Sequence, residues 1–412
     1  MSATHHISPR ALDYPNFRHY VAARFLTTFA VQMQSVAIGW QVYTLTNDPL
    51  DLGLIGLAQF LPFILFILPA GQVADRLNRR FILTLCYVIE TICALLLLVY
   101  TLSGVTQVWP VFATLVLFGS ARAFSVPASH AITPNLVPPP AFSNAIALNS
   151  SSSQIASIAG PAAGGVIYLL GPETVYTSVA CIIAISIFMM MRVKLPQIIR
   201  APEPTSWRTL TEGLRFVRSR PIVLGAMSLD LFAVLFGGAT ALLPAYASDI
   251  LHTGPQGLGL LRTAPAVGAA ITGIILAWRP VTRHVGAWLF GNVALFGITI
   301  IVFGLSTNFL LSLFTLVVLG AADMVSIYIR HMLVQLETPD AIRGRVSAVN
   351  GVFIGASNEL GEFESGLTAA WFGLVPAVVI GGVATLLVTV LFARLFPDLS
   401  RMQRFPEYKG NQ

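Results

Sequence analysis

Long apolar runs separated by short polar connections are the feature that most limits how this chain can fold. Twelve such runs follow one another along the sequence, and each is close to the length of about 20 residues that spans a bilayer as a helix. A segment inside lipid has no water for its peptide groups, so it must satisfy them internally as an α-helix. We predict an all-α membrane protein with twelve transmembrane helices, at residues 24–46, 52–74, 81–103, 108–130, 144–170, 174–194, 222–248, 256–278, 286–306, 309–331, 345–371 and 375–396.

The composition supports a lipid environment. Of the 412 residues, 55% are hydrophobic and only 10% are charged, whereas a soluble domain carries about 25% charged residues. Cys86, Cys93 and Cys181 lie within apolar runs without metal-ligand spacing, so we interpret them as packing residues and predict no metal and no cofactor. The loops contain no nucleophile elbow, phosphate-binding loop or metal-ligand cluster, which argues against an enzyme.

Basic residues alternate between loops. The net charge is +6, yet Lys and Arg gather in every second connection, which is the positive-inside pattern and no sign of nucleic-acid binding. The pattern places both termini in the cytoplasm and predicts a multi-pass membrane protein. The loop at Pro138–Pro140 is the exception, because it should be cytoplasmic but has no basic residue.

The two halves of the chain are repeats. A single shift of 201 positions aligns Pro138 with Pro339 and Asn149 with Asn350, and it also aligns Gly160 with Gly361. We therefore predict an N-terminal six-helix half at 1–196 and a C-terminal six-helix half at 222–412, joined by a cytoplasmic linker at 197–221. Within the linker, apolar and basic residues recur at helical spacing from 207 to 218, which predicts a surface helix against the inner leaflet.

A charged motif lies between the second and third spans. An acid followed by basic residues can form charge-assisted hydrogen bonds with helix ends, so the motif could latch an inner gate. Asn78, a residue that tolerates left-handed backbone, occurs within it. The alternative is an ordinary positive-inside loop with one acid. The candidate gating residues are Gly71, Asp75, Arg76, Arg79 and Arg80.

Small residues cluster in the fifth span. They allow two helices to approach closely, and a proline there removes one backbone hydrogen bond. The alternative to a functional motif is a generic packing face of small residues. The residues of this helix-packing motif are Gly160, Pro161, Gly164 and Gly165.

Several ionisable residues lie inside the predicted spans. A charge at the bilayer centre costs about 2.5–3.5 kcal/mol on insertion scales, so such residues usually have a function. Glu359 and Glu362 share one helical face, and two nearby carboxylates in low dielectric compete for ionisation, as a proton carrier requires. The alternative is structural pairing with Arg262 or Arg122. The proton-coupling candidates are Glu359, Glu362, Glu364, Asp230, Glu90 and Arg122.

These motifs together resemble the major facilitator superfamily. The loop at 71–80 resembles its cytoplasmic loop signature, the Gly160-Pro161 step resembles a signature of its exporters, and Arg122 stands where members often carry an arginine linked to proton transfer. The start Asn16-Phe17-Arg18 and the segment Leu336–Val346 are similar to the branch that contains bacterial enterobactin exporters. The resemblance implies two pseudo-symmetric six-helix bundles with a substrate site between them. It also implies a location in the bacterial cytoplasmic (inner) membrane.

The predicted function follows from that resemblance. We expect a proton-coupled exporter of siderophore-like or drug-like small organic molecules that works by alternating access. Its partners would be the small-molecule substrate, protons and the lipid bilayer, and we expect a monomer. One alternative is a uniporter or importer of a small metabolite. Another is a membrane sensor or scaffold that transports nothing.

Overall fold

The computed structural model describes residues 10–195, 207–339 and 342–406. These ranges are predominantly helical and contain no β-strand, as predicted. The first six long helices are α1 Pro15–Thr46, α2 Pro49–Arg76, α3 Arg79–Leu102, α4 Trp109–Ile132, α5 Phe142–Ile167 and α6 Pro172–Met191. The remaining helices are α7 Trp207–Ser219, α8 Pro221–Phe236, α9 Leu243–Ala245, α10 Gly254–Trp278, α11 Val285–Leu305, α12 Phe309–Glu337, α13 Arg343–Phe372, α14 Leu374–Leu395 and α15 Pro397–Ser400.

Most of the predicted spans are long, apolar helices. Among the described residues, eleven helical stretches are long and apolar enough to cross a membrane. The eleventh predicted span, 345–371, corresponds to α13, which has 30 residues but is more polar than the others because it contains three glutamates. Its length still exceeds the roughly 20 residues that a bilayer requires. The length of α13 is therefore sufficient to cross a membrane despite its polar residues.

The seventh predicted span, 222–248, is not a continuous α-helix. Helix α8 ends at Phe236, and a 3₁₀ turn, Gly238–Leu242, the short α9 and a π-helical turn, Tyr246–Ile250, follow. The break begins at two consecutive glycines, Gly237 and Gly238. Helix α13 packs closely there, since a Cβ on Gly238 would lie 2.7 Å from the hydroxyl of Ser365. Changes of helix type of this kind often mark functional hinges.

The chain folds into two compact units. Unit 1 comprises Met1–Ala37 and Leu61–Pro204, and unit 2 comprises Ile38–Phe60 and Thr205–Gln412. The end of α1 and the start of α2 thus pack with the second unit. The boundaries predicted from the sequence, at 196/197 and 221/222, stay a prediction, and residues 197–206 of the predicted linker lie outside the described residues.

Within unit 1, α5 packs closely on α1. A Cβ on Gly160 would lie 2.8 Å from the carbonyl oxygen of Phe29, and a Cβ on Gly164 would lie 2.7 Å from that of Met33. Neither distance leaves room for a side chain. The small residues of α5 therefore determine how near α1 can come.

Within unit 2, α13 packs on α8 in the corresponding way. A Cβ on Gly361 would lie 2.9 Å from the carbonyl oxygens of Val234 and Leu235. Gly361 is the residue that the shift of 201 aligns with Gly160. The two repeats thus use a glycine at the same position for the same kind of helix contact.

Helix α7 forms where the sequence predicts a surface helix, but it packs on protein. Val217 is fully buried among apolar side chains of α8, α12 and α13. A Cβ on Gly213 would lie 2.8 Å from the carbonyl oxygen of Arg345, and Glu212 forms an ion pair with the side chain of Arg345. The expectation that its apolar face lies on the inner leaflet is thus wrong at Val217, because neighbouring helices cover that face. Leu214 is exposed.

Candidate functional site

Two charged side chains of unit 2 lie beside the segment Ile38–Phe60. Arg262 projects from α10, and Glu362 projects from α13. Arg262 and Glu362 interact electrostatically, and we call these two residues the carboxylate–arginine cluster. Glu359, three residues before Glu362 on α13, is only 9% exposed. The pairing that the sequence left open between the acids of α13 and Arg262 is present between Arg262 and Glu362.

Two glycines make room for this cluster. A Cβ on Gly56 in α2 would lie 2.6 Å from Oε2 of Glu362, and a Cβ on Gly39 in α1 would lie 3.0 Å from Nη2 of Arg262. The carboxylate and the guanidinium therefore rest against helix backbone where a larger residue would displace them. Both charges are held beside the segment Ile38–Phe60.

The crossing of α2 and α13 is also built from small residues. A Cβ on Gly366 would lie 2.7 Å from Cα of Gly53 and 2.9 Å from the carbonyl oxygen of Pro49. Small residues allow this close backbone approach in lipid, where dispersion contacts replace the hydrophobic effect as the force between helices. Glu362 thus lies at the edge of a closely packed helix interface, one turn from Gly366.

A polar contact ties the end of α1 to the π-helical turn. The hydroxyl of Tyr43 donates a hydrogen bond to the carboxylate of Asp249. Tyr43 is 2% exposed and packs in a cluster with Leu52 and Ala245. The segment Ile38–Phe60 is therefore held to the rest of unit 2 by this hydrogen bond, by the crossing of α2 and α13 at Gly53 and Gly366, and by the apolar contacts of Tyr43.

Leucine in place of Gly56 should lower transport by about tenfold or more. The new side chain would need the space of the Glu362 carboxylate, and such overpacking costs about 1–3 kcal/mol. Initial rates of substrate efflux from liposomes would measure the effect. The control is Gly291→Leu, because Gly291 in α11 has no atom within 4 Å of its Cβ position. Equal rates in the two variants would contradict the role of the Gly56 contact.

Glu90 and Arg122 lie near each other in unit 1. Glu90 is 5% exposed and interacts electrostatically with Arg122. Among the described residues, Oε2 of Glu90 has no hydrogen-bond partner. The Arg122 guanidinium also lies 5.6 Å from the ring centroid of Phe63, within cation–π range. Arg122 therefore provides a nearby positive charge for the buried carboxyl group of Glu90.

The other two acidic candidates have local partners. Asp230, 6% exposed, forms an ion pair with Arg330, 3% exposed. Glu364 accepts a hydrogen bond of 2.8 Å from the hydroxyl of Thr368 on its own helix. The first contact is structural in character, and the second holds Glu364 against its own helix.

The charged loop motif organises the start of α3. Arg79 donates from Nη1 to the carbonyl oxygen of Ala131, 2.8 Å away at the end of α4. Asn78 caps α3 by accepting a hydrogen bond from the backbone N–H of Arg80, with an extended backbone at φ −64°. Asn78 is therefore a helix N-cap and does not adopt the left-handed backbone that asparagine tolerates.

The remaining motif residues are placed as follows. Arg76 is exposed and Gly71 is partly buried, while Pro161 and Gly165 are buried. The side chain of Asp75 lies outside the described residues, so its role as a latch stays a prediction.

Sequence reasoning did not find Gly39, Gly56 or the Tyr43–Asp249 contact. The spacing of Gly53 and Gly56, three apart on one helical face, was the available signal for a close helix crossing. Nothing in the local sequence links Tyr43 to a residue 206 positions away.

Comparison with known proteins agrees with this architecture. Residues 7–406 match the family described as transmembrane secretion effector. The enterobactin exporter EntS of Citrobacter koseri is 23% identical over 395 residues, which cover 95% of this chain and 94% of the exporter. The EntS protein of Escherichia coli O81 is 22% identical over the same length.

Solved structures show the same fold. A bacterial homologue of the human lysosomal transporter Spinster, in an inward-facing and unoccupied conformation, aligns with a TM-score of 0.73 and 16% identity over 94% of this chain and 97% of that one. A D-xylose–proton symporter aligns with a TM-score of 0.69 and 14% identity over 97% and 100% of the two chains.

These relatives and structural neighbours are transporters and not enzymes. The chain has the predicted fold, the all-α fold of the major facilitator transporters, and it is a multi-pass membrane transporter. Because the family match spans residues 7–406, nearly the whole chain, this chain belongs to the transmembrane secretion effector family of the major facilitator superfamily.

Proposed function

We propose that this protein exports siderophore-like or drug-like small organic molecules in exchange for protons, by alternating access. The observation that carries the proposal is the carboxylate–arginine cluster, in which Glu362 interacts with Arg262 and presses against the backbone of α2 at Gly56. The similarity to enterobactin exporters supports the direction of transport and the class of substrate.

The cluster couples protonation to helix contacts in a simple way. An ionised Glu362 attracts Arg262, and Arg262 in turn rests on α1 at Gly39. Protonation of Glu362 removes that attraction, and it weakens the hold of α10 and α13 on Ile38–Phe60. A transport cycle requires this segment to separate from the rest of unit 2, and proton binding lowers the cost of the separation.

The remaining motifs take supporting roles. Asp75, with its neighbouring arginines, latches the cytoplasmic gate, and both termini lie in the cytoplasm of a bacterial inner membrane. Glu90 and Arg122 form a second proton-accessible pair in unit 1. The small residues of α5 maintain its contact with α1 while gates open and close.

Reconstitution tests the proposal directly. The full-length protein would be placed in liposomes containing a pH-sensitive dye, a pH gradient would be imposed, and enterobactin or a cationic dye would be added. We expect substrate to accelerate proton flux above that of protein-free liposomes, and the gradient to drive substrate accumulation. Substrate movement without proton flux would overturn proton coupling and make the protein a uniporter. Failure to move either probe would overturn the substrate class.

A further inference from the structure

An arginine lies within unit 1 without an acidic partner. Helix α1 begins at Pro15, so Arg24 lies about 13 Å along its axis from that end. The side chain is partly buried, and within the part of the chain that the structure describes it forms no ion pair. Because a charge inside a membrane helix is costly, an unpaired arginine at this depth usually has a function.

The helices of unit 1 do not supply an acid to Arg24. Helices α1, α4 and α5 contain no Asp or Glu. The one acid of α3 is Glu90, which interacts with Arg122, and the one acid of α6 is Glu173 in its first turn. In α2, Asp51 belongs to unit 2. Among the described side chains, positive charge is therefore in excess around Arg24.

A buried tyrosine holds the guanidinium in place. Nη1 of Arg24 donates a hydrogen bond of 3.1 Å to the hydroxyl of Tyr20. That hydroxyl in turn donates to the carbonyl oxygen of Ser129, 2.9 Å away in α4, and Tyr20 itself is fully buried. Among the described residues, Arg24 makes no other hydrogen bond. Most of its N–H donors thus remain for a ligand, in an orientation that Tyr20 fixes.

Two further polar groups lie beside Arg24. Thr28 follows one turn later on the same face of α1, and its hydroxyl makes no hydrogen bond to any described residue. His130 is adjacent to Ser129 in α4 and lies within electrostatic range of Arg24. The guanidinium, the hydroxyl and the imidazole can each donate a hydrogen bond, and none of them is negative. A ligand that suits all three carries anionic oxygens.

We propose that Arg24, Thr28 and His130 bind the acidic group of an organic anion, so that the exported molecules carry a carboxylate or a comparable oxyanion. The planar guanidinium matches the two oxygens of a carboxylate. That the anion is a substrate rests on the proposed export function, whereas binding of the anion does not. A phospholipid phosphate presents the same chemistry, so the test must separate the two sources.

Thermal unfolding of the purified full-length protein in detergent tests the site without a pH gradient. At constant ionic strength, salicylate in place of chloride should raise the Tm of the wild type, since a ligand that binds only the folded state stabilises it. Salicylamide, which is neutral and of nearly the same shape, should not raise it.

Variants of two arginines on α1 assign the effect to the site. Arg24→Gln should weaken salicylate binding by about tenfold or more, the usual loss for a hydrogen bond between charged groups. Arg24→Lys keeps the charge without the planar fork and should bind with intermediate strength. The control is Arg18→Gln, the same change at an exposed position of the same helix, and it should bind salicylate as the wild type does.

Several results would overturn the proposal. They are an absent Tm shift in the wild type, equal shifts with salicylate and salicylamide, and an unchanged shift in Arg24→Gln. The first two need no variant, so they decide the matter even if Arg24→Gln does not fold. A Tm rise with phosphatidylglycerol but not with salicylate, lost in Arg24→Gln, would assign the site to a lipid headgroup instead.

The outcome is separate from that of the liposome assay. Salicylate binding without proton-driven transport would refute the proposed function and leave the anion site standing. Proton-driven transport of the cationic dye without salicylate binding would leave the export function standing and refute the anion site.

Discussion

Methionine in place of Arg330 should lower the free energy of unfolding by about 3–5 kcal/mol, because it removes one partner of a buried ion pair. Arg330 and Asp230 are 3% and 6% exposed, and they form their ion pair within the packed core of unit 2. The variant would leave the buried carboxylate of Asp230 charged and without its cationic partner.

Denaturant titration in mixed micelles would measure this loss. The double variant Asp230→Asn/Arg330→Met should recover most of it, because an uncharged pair leaves no orphan charge. Arg283→Met is the matched control, since Arg283 is exposed in the loop before α11 and exposed charges contribute little. A loss in Arg330→Met no larger than in Arg283→Met would mean that the ion pair contributes nothing to stability.

The helices could be predicted from the sequence because a chain segment inside lipid must satisfy its peptide groups internally, as an α-helix. Each apolar run had to become a helix, and the shift of 201 that aligns Gly160 with Gly361 also aligned the two close helix contacts that these glycines make. The acidic helix α13 was identifiable for a related reason. Charges in an apolar run are costly, so three glutamates within six residues indicated a functional segment before any contact was known.

The partners of those charges could not be read in the same way. Hydrophobic periodicity fixes which face of a helix points inward only when the opposite face is polar, and helices in lipid are apolar all round. The rotation of α10 and α13 that brings Arg262 to Glu362 was therefore open. The same holds for Arg330, whose pairing with Asp230 joins residues 100 positions apart.

The break after α8 was missed for a different reason. Gly237 and Gly238 lie in an otherwise apolar run, and glycine is common in membrane helices, so the pair gave no boundary. A tertiary contact accounts for the glycine at 238, since any Cβ there would collide with α13. Local propensity does not contain that information.

Glutamine in place of Glu362 should abolish proton-driven substrate accumulation. An ion pair at about 4 Å contributes about 4 kcal/mol at an effective dielectric constant near 20. A switch of that size shifts a two-state equilibrium by more than about 100-fold. Glutamine keeps the size of the side chain but cannot ionise, so α13 stays in the form that a protonated glutamate would adopt.

Substrate exchange distinguishes a specific loss of proton coupling in this variant from a general loss of transport. Glu362→Gln should still exchange labelled for unlabelled substrate across the liposome membrane, because exchange needs no net proton movement. The matched control is Glu364→Gln, two residues away, whose carboxylate accepts a hydrogen bond from Thr368 on its own helix. It should retain proton-driven accumulation.

Arg262 provides the complementary test, because its charge matters only while Glu362 is ionised. Arg262→Gln alone should impair accumulation, since it leaves Glu362 without its electrostatic partner. Added to Glu362→Gln, the same change should have little further effect, because the interaction that it removes is already absent. Full proton-driven accumulation by Glu362→Gln, or additive losses in the double variant, would contradict coupling through this pair and leave the cluster with a structural role.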